Sequence, residues 1–285
     1  MPPHLLVMDI FSRLLVPLSS ELPSERVVHR AGMLAEKFGA QVTVIYIIEE
    51  KTLKKMEDVS RAFLTEQQRT EVERRVVDTN KMLAEDVIFK QVKPLIRNFD
   101  KEVVVGEFSE ETVKAAHISD ATCIVTGYEK YCLLKYRLLD KLDIPLWIEQ
   151  ETGGPHVLGI CSNLAPNKRV PDVTLSLAGA LGYTPHLLYV VDTEEKVEVD
   201  EYEHKRECTL AELTERAHAL LTNYEGRAET HFSSGVLEDE IASHAYRINP
   251  DVVIIGREMK RKRLFCRDLK HDMVAKLHKS LLFLN

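Results

Sequence analysis

Sliding the sequence along itself by 143 residues restores one pattern without a gap. Leu15, Ser19, Pro23, Leu34, Ala35, Gly39 and Tyr46 fall on Leu158, Ser162, Pro166, Leu177, Ala178, Gly182 and Tyr189, identical at each position. The matches land together on a strand end, a turn proline, a helix stop and a second strand, which reads as a duplication. A chain of 285 residues has room for two such copies, each large enough to bury its own core.

In the first copy Arg13–Ser19 is an apolar strand, and Ser24 is placed to cap a helix over Glu25–Phe38. Val28, Ala31, Leu34, Ala35 and Phe38 recur every three or four residues along that helix, and Gly39 stops it. Gln41–Ile48 then follows as a β-branched strand, and such short connections predict a right-handed parallel crossover. Lys51–Phe99 has no glycine and no proline before Pro94, so a long helix or a broken pair is expected there. The copy continues with strand Lys101–Phe108, helix Glu110–His117, strand Ala121–Gly127, helix Tyr128–Lys141 and strand Ile144–Glu149.

The second copy reads in the same order. Its strand Val157–Ser162 leads through helix Arg169–Leu181, strand His186–Val191, helix His204–Tyr224 and strand Ala228–Phe232. Helix Val236–Tyr246, strand Asp251–Gly256, helix Asp268–Leu277 and strand Leu281–Leu284 complete it. Gly127 and Gly256 stand 129 apart rather than 143, so the first copy holds 14 additional residues in its middle helical region. They read as a longer solvated arm or as a partner-binding or dimerising extension.

A formal charge of −7 argues against a general nucleic-acid binder. Five cysteines without a CxxC pair read as reduced thiols of an intracellular protein. The N-terminus lacks the basic segment of a signal peptide, and no apolar run approaches a membrane span, so a cytoplasmic protein is expected. One segment departs from the acidic balance: Gly256–Lys279 carries nine Lys and Arg against three acids. Arg257, Lys260, Arg261, Lys262 and Arg263 follow directly on the strand ending at Gly256, where open α/β sheets hold ligands. They form a solvated basic loop or hold an anion.

His117, His231 and His244 stand singly on their elements, and His271, Asp272 and His278 find no completing Cys or carboxylate set, so no metal site is expected. Ser19 and Ser162 read as turn or capping serines. No G-x-S-x-G, Walker A or G-x-G-x-x-G motif occurs, and catalysis is not expected.

The βαβ start, the long middle helix, and Gly235, Glu240, Ile241 and Ala245 running into Asp251-Val-Val-Ile-Ile-Gly256 resemble the universal stress protein domain. The first copy shows the same outline more loosely in Val105-Gly106-Glu107-Phe108 and Ile124-Val125-Thr126-Gly127. The resemblance covers nearly the whole chain and divides it into tandem domains at 1–152, with an extended middle region near 51–99, and 153–285. It implies an α/β fold of two Rossmann-like, doubly wound domains. Each would have a five-stranded parallel sheet with helices on both faces, and the two would pair through the last strands Ile144–Glu149 and Leu281–Leu284.

Some members of that family bind ATP, with an aspartate just past the first strand touching the adenine. Ser19 and Ser162, the latter followed by Asn163, stand there in this sequence. After the fourth strand the ATP binders carry Gly-x2-Gly-x9-Gly-Ser/Thr, which lets backbone amides approach phosphates. Gly127 and Gly256 survive, Lys130 and Met259 replace the second glycine, and no Gly-Ser/Thr pair follows. The first copy, with Ser19, Gly127 and Lys130, therefore resembles a degenerate site without a cofactor. The second offers Ser162, Asn163, Gly256, Arg257, Lys260 and Arg261 as a ligand-binding group, either equally degenerate or suited to ATP, AMP or another phosphorylated anion. A small anionic ligand, a second copy of the chain or a protein partner are the expected partners; nucleic acid and membrane are not.

Overall fold

The computed structural model describes residues 3–19, 24–49, 65–128, 138, 143–200, 202, 204–256 and 269–284. Contacts divide the chain into two units, Phe11–Leu142, and Asp143–Asn285 together with Met1–Ile10. Helix α1 (Pro3–Ile10) belongs to the second of these, where buried Val7 and Ile10 accompany its packing on a later helix.

The unit Phe11–Leu142 is built from β1 (Arg13–Ser19), α2 (Ser24–Phe38) and β2 (Gln41–Glu49). Helix α3 (Glu66–Leu83) then runs through a π-helical turn, Ala84–Ile88, into the single turn of α4 (Phe89–Val92). Strand β3 (Asp100–Gly106), α5 (Phe108–Ile118) and β4 (Cys123–Gly127) follow. The strands lie in the order β4-β1-β2-β3, all parallel. Leu14, Leu15, Val16 and Leu18 of β1 are fully buried, as are Val44–Ile48 of β2, which accounts for runs that are apolar on both faces.

The other unit contains β5 (Leu146–Glu149), β6 (Gly154–Ser162), α6 (Val170–Leu181) and β7 (Thr184–Asp192). A hairpin of β8 (Val197–Val199) and β9 (Lys205–Glu207) leads to α7 (Leu210–Thr222), β10 (Glu229–Gly235) and α8 (Leu237–Ile248). Strand β11 (Pro250–Gly256), α9 (Leu269–Leu277) and β12 (Ser280–Leu284) complete it. Its sheet runs β10-β7-β6-β11-β12-β5, parallel except for β5, which pairs antiparallel with β12 through Leu146↔Phe283, Trp147↔Leu282 and Ile148↔Leu281. Phe232 of β10 packs on His218 of α7, whereas its neighbour His231 faces His244 of α8. Successive strand residues point to opposite faces, so α7 and α8 cover opposite sides of the sheet.

The strand registers carry the 143-residue repeat into three dimensions. Arg13 pairs Gln41 and His156 pairs Thr184, a separation of 28 residues in both crossovers. Each crossover helix ends on a glycine in the left-handed region, Gly39 at φ 66° and Gly182 at φ 73°. Thr43 pairs Asp100 and His186 pairs Glu229, separations of 57 and 43, so the additional 14 residues fall wholly between β2 and β3.

Several expected boundaries move for identifiable reasons. Phe108 opens a helix instead of closing a strand, because the Glu107 carboxylate caps the first turn by accepting from the Glu110 amide at 2.9 Å. The helix expected from His204 begins at Leu210, behind a capping box in which Thr209 and Glu212 satisfy each other's backbone amides. Residues 204–207 instead complete the β8–β9 hairpin. Of the expected helix Tyr128–Lys141, all but Tyr128 and Leu138 lie outside the described residues, as does the first part of the expected helical region Lys51–Phe99.

A buried polar network sets the register of β5 on β12. Trp147 Nε1 and Ser280 Oγ both donate to Glu149 Oε2, at 2.7 and 3.1 Å. The Gln150 amide in turn donates to Ser280 Oγ at 3.1 Å. A slip by one residue would bury these groups unpaired, at about 1–3 kcal/mol each.

Close helix–sheet packing gives a test of this core. At Gly159 on β6 a Cβ would intrude on Thr174 Oγ1 of α6 and lie 3.0 Å from Leu187 Cδ2. Thr174 cannot easily turn away, because its hydroxyl donates to the Val170 carbonyl at 2.7 Å. Gly159→Ala is expected to destabilise the protein by about 1–3 kcal/mol. Denaturant unfolding followed by the fluorescence of the single tryptophan, Trp147, measures the loss, and adding Thr174→Ala is expected to relieve part of it.

Candidate functional site

In parallel sheets every strand delivers its last residue to the same edge, the usual place for ligands in α/β folds. In the unit Phe11–Leu142, pairing of Leu15 with Ile124 sets Leu18 level with Gly127, so Ser19 and Gly127 end adjacent strands. In the other unit, pairing of Ile255 with Ile160 sets Gly256 level with Cys161, so Ser162 and Gly256 end adjacent strands as well. The two copies thus present the same serine and glycine at the same level. Lys130, Arg257, Lys260 and Arg261 lie outside the described residues.

The hydrogen bonds around Ser162 turn inward. Ser162 is fully buried; its hydroxyl donates to Asn163 Oδ1 at 3.4 Å and accepts from the Leu164 amide at 3.3 Å. Asn167 sits in the left-handed region at φ 54° and folds its side chain back over the strand end. Its Oδ1 accepts from the Ser162 amide at 2.9 Å, while its Nδ2 donates to the carbonyls of Ser162 and Ala165, both at 2.8 Å.

Asn163, almost fully buried, ties three segments together. Its Nδ2 donates to the carbonyls of Glu195 and Val197 at 3.1 and 2.7 Å, and its Oδ1 accepts from the Asp192 amide at 2.7 Å. The Val199 amide donates to its backbone carbonyl at 3.0 Å. Asp192, at the end of β7, accepts through Oδ1 from the amides of Glu194 and Glu195, and through Oδ2 from the Leu237 amide at the start of α8. A ligand reaching for Ser162 or Asn163 would have to break chain contacts worth about 0.5–1.5 kcal/mol apiece.

The opposite, amino-terminal edge of the same sheet gathers residues that the sequence scatters. His156 on β6, His186 on β7, and Glu229 and His231 on β10 share one face, since Leu158 and Glu229 are both register partners of His186. His186 Nε2 lies 3.0 Å from His156 Nδ1, and His186 Nδ1 lies 3.1 Å from His231 Nε2. Glu229 Oε2 approaches the same His186 Nδ1 to 3.4 Å. His244, on the covering helix α8, donates from Nδ1 to the Glu240 carbonyl at 2.9 Å, with its ring 6.1 Å from that of His231.

Burial holds the imidazoles of His186 and His231 toward the neutral form; Glu229 opposes this, and the neighbouring histidines reinforce it. His231, expected to stand singly on its strand, therefore lies against His186 and His244. Among the described residues His186, Glu229 and His231 each bring one ligand atom within 4.8 Å of the others. The one local signal was the two-residue spacing of Glu229 and His231, which puts both on one side of a strand.

In the unit Phe11–Leu142, Glu85, Asp86, Phe89, Lys90 and Lys93, from the segment between β2 and β3, line a groove of about 850 Å³ with Lys101 of β3. Two of its lysines are already paired, Lys90 with Asp86 at 3.0 Å and Lys101 with Glu85.

Comparison with known proteins agrees with this architecture. Residues 11–141 match the model of the Universal stress protein family. No curated protein sequence matches the chain. Among solved structures, a universal stress protein from Archaeoglobus fulgidus DSM 4304 has a TM-score of 0.60 at 15% identity, covering 96% of this chain and 98% of its own. A putative universal stress protein from Pseudomonas aeruginosa UCBPP-PA14 has a TM-score of 0.60 at 12% identity, covering 98% of this chain and 94% of its own. A functionally unknown protein from Pseudomonas aeruginosa PAO1 gives 0.58 at 13%, with the same coverage. At such identities the likeness is one of fold, the Rossmann-like α/β fold of universal stress proteins. Among the described residues no helix is long and apolar enough to cross a membrane.

The bonds made by Asn163 set a further expectation. Asn163→Ala removes four side-chain hydrogen bonds and should cost about 2–4 kcal/mol. Amide exchange at Asp192, whose N–H loses its acceptor, is expected to quicken with it.

Proposed function

We propose that this chain, with a universal stress protein domain at residues 11–141, is a tandem member of that family whose second copy occupies 153–285. It acts in the cytoplasm as a non-catalytic binding or regulatory module in stress adaptation, with nucleotide sites that have degenerated in both copies. The observation that carries this reading is the inward bonding of Ser162 and Asn163. Their polar atoms serve the loop 162–167 and the start of the β8–β9 hairpin rather than a ligand.

The sequence supports the same reading. A serine stands in both copies where ATP-binding members carry an aspartate, and Lys130 and Met259 stand where glycines admit a triphosphate. A bulky side chain in place of such a glycine would fill the space that backbone amides need to reach phosphate oxygens. The case against catalysis is similar. Ser162 is the nucleophile a hydrolase would use, yet its hydroxyl is buried and spent on Asn163 rather than on a general base.

A competing reading makes the basic loop after Gly256 an anion clamp for ATP, AMP or another phosphorylated ligand. Calorimetric titration of the full chain with ATP and with AMP separates the two. No saturable heat at micromolar ligand is expected. Micromolar binding that disappears in Arg257→Ala and Arg261→Ala would replace the degenerate-site reading with the clamp.

A further inference from the structure

We propose that His186, His231 and Glu229 form a binding site for a divalent transition metal ion of the zinc class, with His156 orienting His186 from behind. The ligand atoms are His186 Nδ1, His231 Nε2 and a Glu229 carboxylate oxygen, with water in the remaining position.

The distances fit before any metal is considered. Zinc bonds of about 2.0–2.1 Å arranged tetrahedrally place neighbouring donor atoms about 3.3 Å apart. His186 Nδ1 is 3.1 Å from His231 Nε2 and 3.4 Å from Glu229 Oε2. These are two edges of such a tetrahedron, and small rotations of the exposed Glu229 side chain can adjust the third.

The arrangement exceeds what a metal-free hydrogen-bond chain requires. A proton on His186 Nδ1 can be aimed at His231 Nε2 or at the Glu229 carboxylate, but it cannot serve both well. The carboxylate is surplus to a row of neutral imidazoles, whereas three ligand atoms within 4.8 Å of one another suit a cation. The outer contact points the same way. With Nδ1 on the metal, the remaining proton of His186 sits on Nε2 and is donated to His156 Nδ1 at 3.0 Å. Histidine ligands are ordinarily held by such a bond from the second ring nitrogen, which settles both tautomer and ring orientation.

The donor set also selects the class of metal. Two imidazoles and one carboxylate suit zinc, copper, nickel or ferrous iron, while calcium and magnesium require more oxygen ligands than are present. The ligands come from β7 and from β10, the outer strand of its sheet, so the ion would cross-link the edge to its neighbour. The site lies at the opposite strand ends from Ser162 and Gly256 and is independent of any nucleotide binding there.

The test uses the full chain, stripped with a chelator, dialysed and titrated with Zn2+ in a non-coordinating buffer. One ion per chain is expected to bind at micromolar metal and to raise the thermal midpoint, because a ligand of the folded state stabilises it by mass action. Ca2+ is expected to do neither. Glu229→Gln and His231→Gln should each weaken zinc at least tenfold, and His156→Leu should weaken it by about 10–100-fold. His117→Gln, on an exposed residue of the other unit, should leave it unchanged. Glu229 has 63% of its side chain exposed, so Glu229→Gln keeps the fold and remains an interpretable variant. Absence of saturable zinc binding, or binding undiminished in both Glu229→Gln and His231→Gln, overturns the proposal.

Discussion

Both sheets depend on the length of one crossover. A strand, a helix and a second strand can pair in parallel only if the helix stops where the chain must turn back, and left-handed glycines at positions 39 and 182 supply that stop. The result is a 28-residue register shared by β1 on β2 and β6 on β7. In both units the first strand also ends on a serine and the fourth strand, beside it, on a glycine. Additional residues can then enter between β2 and β3 without disturbing the pairing of either strand, since lengthening a connection costs little once its ends are held.

The two edges of the sheet in the later unit serve different purposes. At the carboxyl edge, Asn163, Asn167 and Asp192 bind backbone groups of the loops that leave the strands, and the polar capacity of the strand ends is consumed in holding those loops. At the amino edge three histidines and a carboxylate contact one another. A fold held in common with universal stress proteins therefore leaves function to be argued from particular side chains.

Much of the fold was legible because it rests on patterns local to the chain. The crossover helix was bounded at Phe38 and Leu181 by the glycine that follows, and the β-branched runs marked the central strands. The less accurate boundaries were those where a single side chain decided. Glu107 turns Phe108 into the first residue of a helix, and Thr209 with Glu212 delays α7 until Leu210. The second of these was visible as a threonine three residues before a glutamate; the first uses a residue type that seldom caps. The β8–β9 hairpin had no comparable signal, because Asn163, more than thirty residues earlier, anchors it.

The sequence by itself determined the repeat, the α/β class, the order of the crossovers and the residues Ser19, Gly127, Ser162 and Gly256 at which their strands end. These follow from periodicity and from helix stops, which act over a few residues. Tertiary structure alone decided that Ser162 and Asn163 face inward, that β5 meets β12 through a buried tryptophan and glutamate, and that His156, His186, Glu229 and His231 converge. Such contacts depend on which strands become neighbours and on their hydrogen-bond register, and a linear spacing of 30 or 45 residues carries no trace of a distance near 3 Å.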